Sequence, residues 1–367
     1  MNQKVVLFTA LDHGGILQLA NQMALTLQDM KIPFAIFVPD GAKSKCAKAI
    51  KENVFEYHLS KFAVPMEKKT KDLAVQISLK KPSCFIALDD AIKASAIVSA
   101  LSKRINCAIV IHDVNPHPQK KTIYKEISER IRKYLARCAY KKAHSIILLS
   151  ENSYQLFCTQ YRKLTDKAII FPLGAHVMPA ASTMPNELKQ YREIEGFALF
   201  FGRIDEYKGV DRLVKAQECN CKDPTYNLPV IIAGKNLSNK DYKTSDEKKT
   251  ICLLRFIDDG EMIWLFEHCG VVVLPYYEAS QSGVLPIAYK YGKPVIVSNI
   301  NGLRELVVEG KTGYVFNDTK QLGLILKEYA IGRSVHANQE IRDFYKETYD
   351  WKRNVKNLLE RVVKTNE

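Results

Sequence analysis

Three segments hold residue types that handle phosphate. The first, Phe201-Gly202-Arg203-Ile204-Asp205-Glu206-Tyr207-Lys208-Gly209-Val210, sets an arginine and a lysine on one loop just after an apolar run. A planar guanidinium and a compact ammonium suit a diphosphate, and together they could neutralise a leaving group carrying two negative charges. Taken singly, either cation could equally be a solvated loop charge. The second, Leu274-Pro275-Tyr276-Tyr277-Glu278-Ala279-Ser280-Gln281-Ser282-Gly283-Val284-Leu285-Pro286, brings small residues to the start of a helix. Their amides could grip phosphate, and Glu278 could accept from sugar or ribose hydroxyls. Pro286 falls in a first helical turn, where its missing N–H costs nothing. The third is Thr9-Ala10-Leu11-Asp12-His13-Gly14-Gly15-Ile16. Its two glycines let backbone approach a ligand, or simply make a tight strand-to-helix turn.

His112 ends the apolar run Ala108-Ile109-Val110-Ile111. A neutral imidazole there could orient a reacting hydroxyl, and the plainer reading is a strand-end histidine bonded to backbone. Asp113, His13 and His117 are the neighbouring ionisable candidates. No D-x-D closes a strand and no His/Cys cluster has metal-ligand spacing, so no metal is expected. Asp89-Asp90 and Cys219-Asn220-Cys221 read as structural or surface groups.

Two series of strands and helices must position these loops. Val5–Thr9, Phe34–Val38, Cys84–Leu88, Ala108–His112, Ser145–Leu149 and Ala168–Phe171 read as strands, with helices such as Ile16–Met30 and Ile123–Ala143 between them. A second series follows at Phe197–Phe201, Val230–Ala233, Thr250–Phe256, Val271–Leu274, Pro294–Val297 and Gly313–Phe316. Short strands that are apolar throughout are what a parallel sheet covered on both faces requires. The segment Met178–Asn186 is the linker candidate, and Trp351–Lys364 has helical apolar spacing.

With 367 residues the chain suits two domains, and a hydrophobic content of 47% excludes disorder. The opening residues read as a strand rather than a leader, and nine cysteines, an odd number and mostly inside apolar segments, suit a reducing compartment, so a cytoplasmic protein is expected. The net charge of +14 is lopsided: residues 1–180 hold 27 Lys+Arg against 14 Asp+Glu, and the remainder is almost neutral. A field of one sign implies an anionic partner. Lys120–Lys142 forms an amphipathic helix with a basic side, suited to anionic headgroups at the inner face of a membrane or, equally, to a solvated helix docked on its sheet. Nucleic acid is not expected, since no RNA- or DNA-binding module is recognisable.

Taken in order, the motifs over about residues 196–320 resemble the donor domain of a family 4 retaining glycosyltransferase of the GT-B class. Gly202, Arg203, Lys208 and Gly209 match G-R-x-x-x-x-K-G, and Ala233-Gly234 matches an A-G strand end. Leu265–Pro275 matches an apolar helix followed by a strand ending L-P, and Gly292-Lys293-Pro294-Val295-Ile296 matches G-K-P-V-I. Gly302–Gly313 matches G-L-x-E-x-V-x-x-G-x-x-G. The first half is similar more loosely, through Gly14-Gly15, Ile111-His112-Asp113 and Leu149-Ser150-Glu151-Asn152.

The resemblance implies two Rossmann-like doubly wound α/β domains facing across a cleft. Residues 1–178 would be the acceptor domain, joined by a C-terminal helix at 351–367, and 187–350 the donor domain. The donor would be a nucleotide-diphosphate sugar, a UDP-sugar by preference. Its diphosphate would be held by Arg203, Lys208 and the amides of Ser282, Gly283 and Val284, with further contacts from Gly14, Gly15, Gly234, Ile257, Glu278 and Gln281. His112 would act beside Arg203, Lys208 and Glu278 at the reacting centre. The sugar would pass, with its anomeric configuration retained, to a glycan or lipid-linked acceptor, the two cations doing what Mg²⁺ does elsewhere. One departure stands out: where the family often has two glutamates eight positions apart, this chain has Ala279, beside Glu278, and Ile287. That departure admits a non-catalytic nucleotide-sugar-binding subunit, and the architecture alone would also admit a nucleotide-sugar epimerase.

Overall fold

The computed structural model describes residues 4–12, 14–60, 63–114, 123–176, 180–191, 194–238, 240–242, 244, 246, 248–279, 282–332 and 338–364, with backbone alone at 14, 123–128 and 364. The chain forms two compact units, Met1–Pro172 with Trp351–Glu367, and Leu173–Asp350.

The first unit runs β1 (Val5–Phe8), α1 (Gly14–Asp29), β2 (Phe34–Pro39), β3 (Val54–Tyr57), α2 (Lys68–Leu79), β4 (Cys84–Ala87), α3 (Ile92–Leu101), β5 (Asn106–Ile111), α4 (Ile123–Lys142), β6 (Ser145–Leu148), α5 (Glu151–Gln160) and β7 (Ala168–Ile170). Its strands pair in parallel in the order β3-β2-β1-β4-β5-β6-β7. β1, β4, β5 and β6 are buried along their whole length, as apolar strands with helices on both sheet faces must be. β3 has no counterpart among the expected strands: Val54 and Tyr57 are buried while Phe55 and Glu56 are not, so this edge strand lacks the continuous apolar run.

The second unit runs β8 (Phe197–Phe201), α6 (Val210–Cys221), β9 (Val230–Ala233), β10 (Thr250–Leu253), α7 (Asp259–His268), β11 (Cys269–Leu274), α8 (Val284–Lys290), β12 (Val295–Ser298), α9 (Asn301–Arg304), β13 (Gly313–Phe316), α10 (Thr319–Ile331) and α11 (Gln339–Tyr349). Its six parallel strands are ordered β10-β9-β8-β11-β12-β13. β10 stops at Leu253, three residues short of the expected Phe256. Arg255 turns there to form ion pairs with Glu187 and Glu261, leaving Phe256 exposed. Glu261 also closes a capping box with Asp258, which fixes the start of α7.

α12 (Trp351–Lys364) packs on the first unit. Trp351 meets Phe171 edge-on at 6.0 Å, Asn354 Nδ2 donates to Pro172 O at 3.0 Å, and Lys352 pairs with Asp29 at 2.7 Å. Trp351, Val355, Leu358, Leu359 and Val362 are its buried face.

In each sheet the strand order reverses once, between β1 and β4 and between β8 and β11. Ligands of open α/β sheets bind outside the carboxyl ends of the strands at such switch points.

Candidate functional site

At the switch point of the second unit, three loops are locked backbone to backbone. Gly202 follows β8 with φ of 119° and donates to Ala233 O at 3.0 Å. Gly234 follows β9 with φ of 148°, and a Cβ there would lie 1.8 Å from Gly202 O. Asp205 accepts the Glu206 N–H and starts a 3₁₀ turn, Glu206–Lys208, which Gly209 ends in the left-handed region at φ of 60°. A Cβ on Gly209 would lie 2.0 Å from Pro275 O, and Tyr277 N–H donates to Tyr207 O at 2.8 Å. The sequence needs glycine at 209 and 234 because neither a side chain nor an ordinary φ fits there.

This frame presents two cations. Arg203 is exposed, its Nη2 3.5 Å from Tyr207 Oη. Lys208 lies half-buried with Nζ 3.7 Å from the centre of the Tyr276 ring. Among the described residues neither cation is in an ion pair. Ser282 is buried and its Oγ accepts the Val284 N–H at 3.3 Å. Val284 Cγ2 sits 3.7 Å from where a Cβ of Gly202 would be. Gly202, Arg203, Lys208, Gly234, Ser282, Gly283 and Val284 therefore gather at one end of one sheet.

Other candidates fall differently. Glu278 is exposed on the loop after β11, and Gln281 lies outside the described residues, as do His13 and His117. Ile257 is buried in the core of the second unit, so it has only backbone to offer a ligand. Ile287 is likewise buried in α8.

Arg212 escaped the sequence reading. Its guanidinium reaches Tyr276 O, Ser298 Oγ and Asn317 O at 3.1–3.5 Å and lies over the Tyr277 and Phe316 rings. It ties the loop after β11 to the ends of β12 and β13.

The switch point of the first unit is built around Asp89, a residue the sequence marks as structural or surface. Asp89 is buried, its Oδ2 accepting the Ala10 N–H at 2.7 Å and its Oδ1 the Ala91 N–H at 3.0 Å. Burial pushes its carboxyl up to about 6, and the two backbone donors only partly offset this. The carboxylate thereby fixes the start of the loop that leads to Gly14 and Gly15. His112 Nε2–H donates to Leu88 O at 2.8 Å, which sets the tautomer and turns Nδ1 into the acceptor. Asp90 points elsewhere, accepting from Tyr140 Oη at 2.5 Å and Arg132 Nη1 at 3.4 Å. These three residues, with Asp113, Arg137 and Tyr161, border a cavity of about 70 Å³.

Two cations without an ion pair among the described residues thus stand on glycine-locked loops at a topological switch point. Residues 187–327 match the family model for glycosyl transferases group 1. Over 123 residues the chain is 32% identical to a D-inositol 3-phosphate glycosyltransferase of Corynebacterium glutamicum, a stretch covering 31% of this chain and 29% of that protein. The match thus spans under a third of that relative's length. An uncharacterised glycosyltransferase of Methanocaldococcus jannaschii, MJ1069, is 24% identical over 255 residues, 63% of this chain and 62% of that one. Anabaena Alr3699/HepE, solved in complex with UDP, superposes with a TM-score of 0.72 at 16% identity, covering 98% of this chain and 99% of the other. WaaG, a glycosyltransferase of lipopolysaccharide biosynthesis, superposes with a TM-score of 0.62 at 16% identity over 98% and 99% of the two chains. The architecture, two Rossmann-like units with seven and six parallel strands, is GT-B.

Proposed function

We propose that the protein is a retaining glycosyltransferase of family 4. It moves a sugar from a nucleotide-diphosphate donor, preferably a UDP-sugar, to a glycan or lipid-linked acceptor. The observation that carries this reading is the pair Arg203 and Lys208, held on locked loops with no carboxylate among the described residues to neutralise them. As the glycosidic bond breaks, negative charge grows on the leaving diphosphate, and fixed cations already in place stabilise that charge more than the ground state. The amides from Ser282 to Val284 add donors to the same group, and a bound metal ion is not required for this neutralisation. His112, its Nε2 committed to Leu88 O, offers Nδ1 to orient a sugar or acceptor hydroxyl. The relatives support the donor class: HepE has been solved with UDP and with UDP-glucose.

We place the enzyme in the cytoplasm, touching the inner face of a membrane through the basic segment Lys120–Lys142. In its described part, Arg130, Lys133, Tyr134, Lys141 and Lys142 are exposed. Among the described residues no helix is long and apolar enough to cross a membrane.

The test is turnover. The protein, incubated with UDP-sugars and candidate acceptors, is followed by UDP release and by the anomeric proton signal of the first product. An α-linked product from an α-linked donor is expected, and an inverted centre would remove the family assignment. Ala279 and Ile287, standing where the family often has glutamates, favour a second reading as a nucleotide-sugar-binding subunit. UDP binding without turnover would select it.

A further inference from the structure

The diphosphate role given to Lys208 leaves one residue of the same switch point unexplained. Tyr276 has no exposed surface, and its hydroxyl has no hydrogen-bond partner among the described residues. Any role it has in the site therefore falls to its ring. What Tyr276 does touch is Lys208, whose Nζ lies 3.7 Å from its ring centre, against 5.2 Å for Tyr207. The two residues sit on separate loops, after β11 and β8. The Tyr277-to-Tyr207 hydrogen bond and the close approach of Gly209 to Pro275 O fix those loops to each other.

We propose that Tyr276 is a positioning residue: its ring seats the Lys208 ammonium for the donor diphosphate without neutralising it. The inference rests on the diphosphate role assigned to Lys208 above. A lysine has a long, flexible stem, so an unseated ammonium must give up rotamer freedom when the donor binds. A carboxylate would fix it, but would also cancel the charge and repel the incoming diphosphate. An aromatic face attracts the cation through its quadrupole and carries no net charge, and N–H groups directed away from the ring stay free to donate. Because Tyr276 is buried, the ring side of the ammonium is of low dielectric and screens its field little.

The experiment is titration calorimetry of the full chain with UDP. It compares wild type, Tyr276→Leu and Tyr276→Phe, each with Lys208 intact and with Lys208→Met. Tyr276→Leu should weaken UDP about three- to tenfold and Tyr276→Phe should return affinity to within about twofold of wild type. With Lys208→Met the gap between the Leu and Phe variants should vanish. Equal affinities for the two variants, or an unchanged gap without Lys208, would overturn the proposal. Should Tyr276→Leu fail to fold, fluorinated phenylalanines at 276 keep the shape while draining the quadrupole. Affinity should then fall with each added fluorine, and a flat series overturns the seat. If wild type binds no UDP, the donor reading fails by itself, and the seat is read from urea unfolding instead. A coupling of about two- to fivefold in the unfolding constant between positions 276 and 208 keeps it, and no coupling discards it.

Discussion

Replacing Asp89 with asparagine isolates the cost of holding a carboxylate inside the first sheet. Burial raises its proton affinity from 3.8 to about 6 although Ala10 and Ala91 donate to it. The folded chain therefore binds this proton more tightly than the unfolded chain. Between those two values the folded state carries more protons, so stability falls as pH rises through the window and the loss is complete above about pH 6. Two pH units correspond to about 3 kcal/mol, of which about 2 kcal/mol falls between about pH 4.5 and pH 7. Asparagine fills nearly the same volume and does not titrate. Urea denaturation of wild type and Asp89→Asn at a series of pH values should show the gap between them moving by about 2 kcal/mol in favour of the variant across that interval. Other titrating groups cancel in the difference, including buried His176, whose proton affinity burial lowers to about 4. A gap that stays constant, or moves toward wild type, refutes the burial argument. The amide can accept only one of the two backbone N–H groups, so the variant should also loosen the loop after β1.

Arg203→Ala and Lys208→Ala should each weaken UDP about 10- to 100-fold in calorimetry, since each removes a charge-assisted contact; unchanged affinity would free both residues from the diphosphate. Gly209→Ala should cost about 2–4 kcal/mol in urea unfolding, because the new Cβ meets Pro275 O at 2.0 Å in a left-handed conformation. Reversing Lys133, Lys141 and Lys142 to glutamate should abolish flotation with anionic vesicles while leaving neutral vesicles unaffected, at about 1 kcal/mol per cation removed. Chelator should leave the transfer rate unchanged if Arg203 and Lys208 provide all the cationic charge that the leaving group meets.

What was legible in the sequence is what local pattern dictates. Continuous apolar runs mark every strand that both faces of a sheet cover, and Gly209 and Gly234 stand out through the motif resemblance, their left-handed or crowded backbone being visible only in the fold. β3 was missed because an edge strand with Glu56 outward lacks that run. β10 was drawn too long because nothing local shows that Arg255 turns aside to meet Glu187, 68 positions earlier. Asp89 is structural, as expected, but its partner is not visible locally: the Ala10 N–H lies 79 positions away. Arg203 and Lys208 were found by spacing, whereas the seating of Lys208 on Tyr276 depends on two loops that only the folded sheet brings together. Ile257, expected to contact the donor, has its side chain in the core of the second unit, which leaves it only backbone for that contact.

The helix Trp351–Lys364 also fixes an order of assembly during synthesis. The first unit is translated first, yet the face that Trp351, Val355, Leu358, Leu359 and Val362 cover is left bare until the ribosome has delivered the whole second unit. N-terminal domains usually close as they emerge. Here the unit made first gains that cover only after the second unit has been made. A chain stalled or clipped before Trp351 should keep the second unit whole and leave the first open to aggregation or proteolysis. Supplying residues 351–364 as a separate peptide would be the direct way to rescue it.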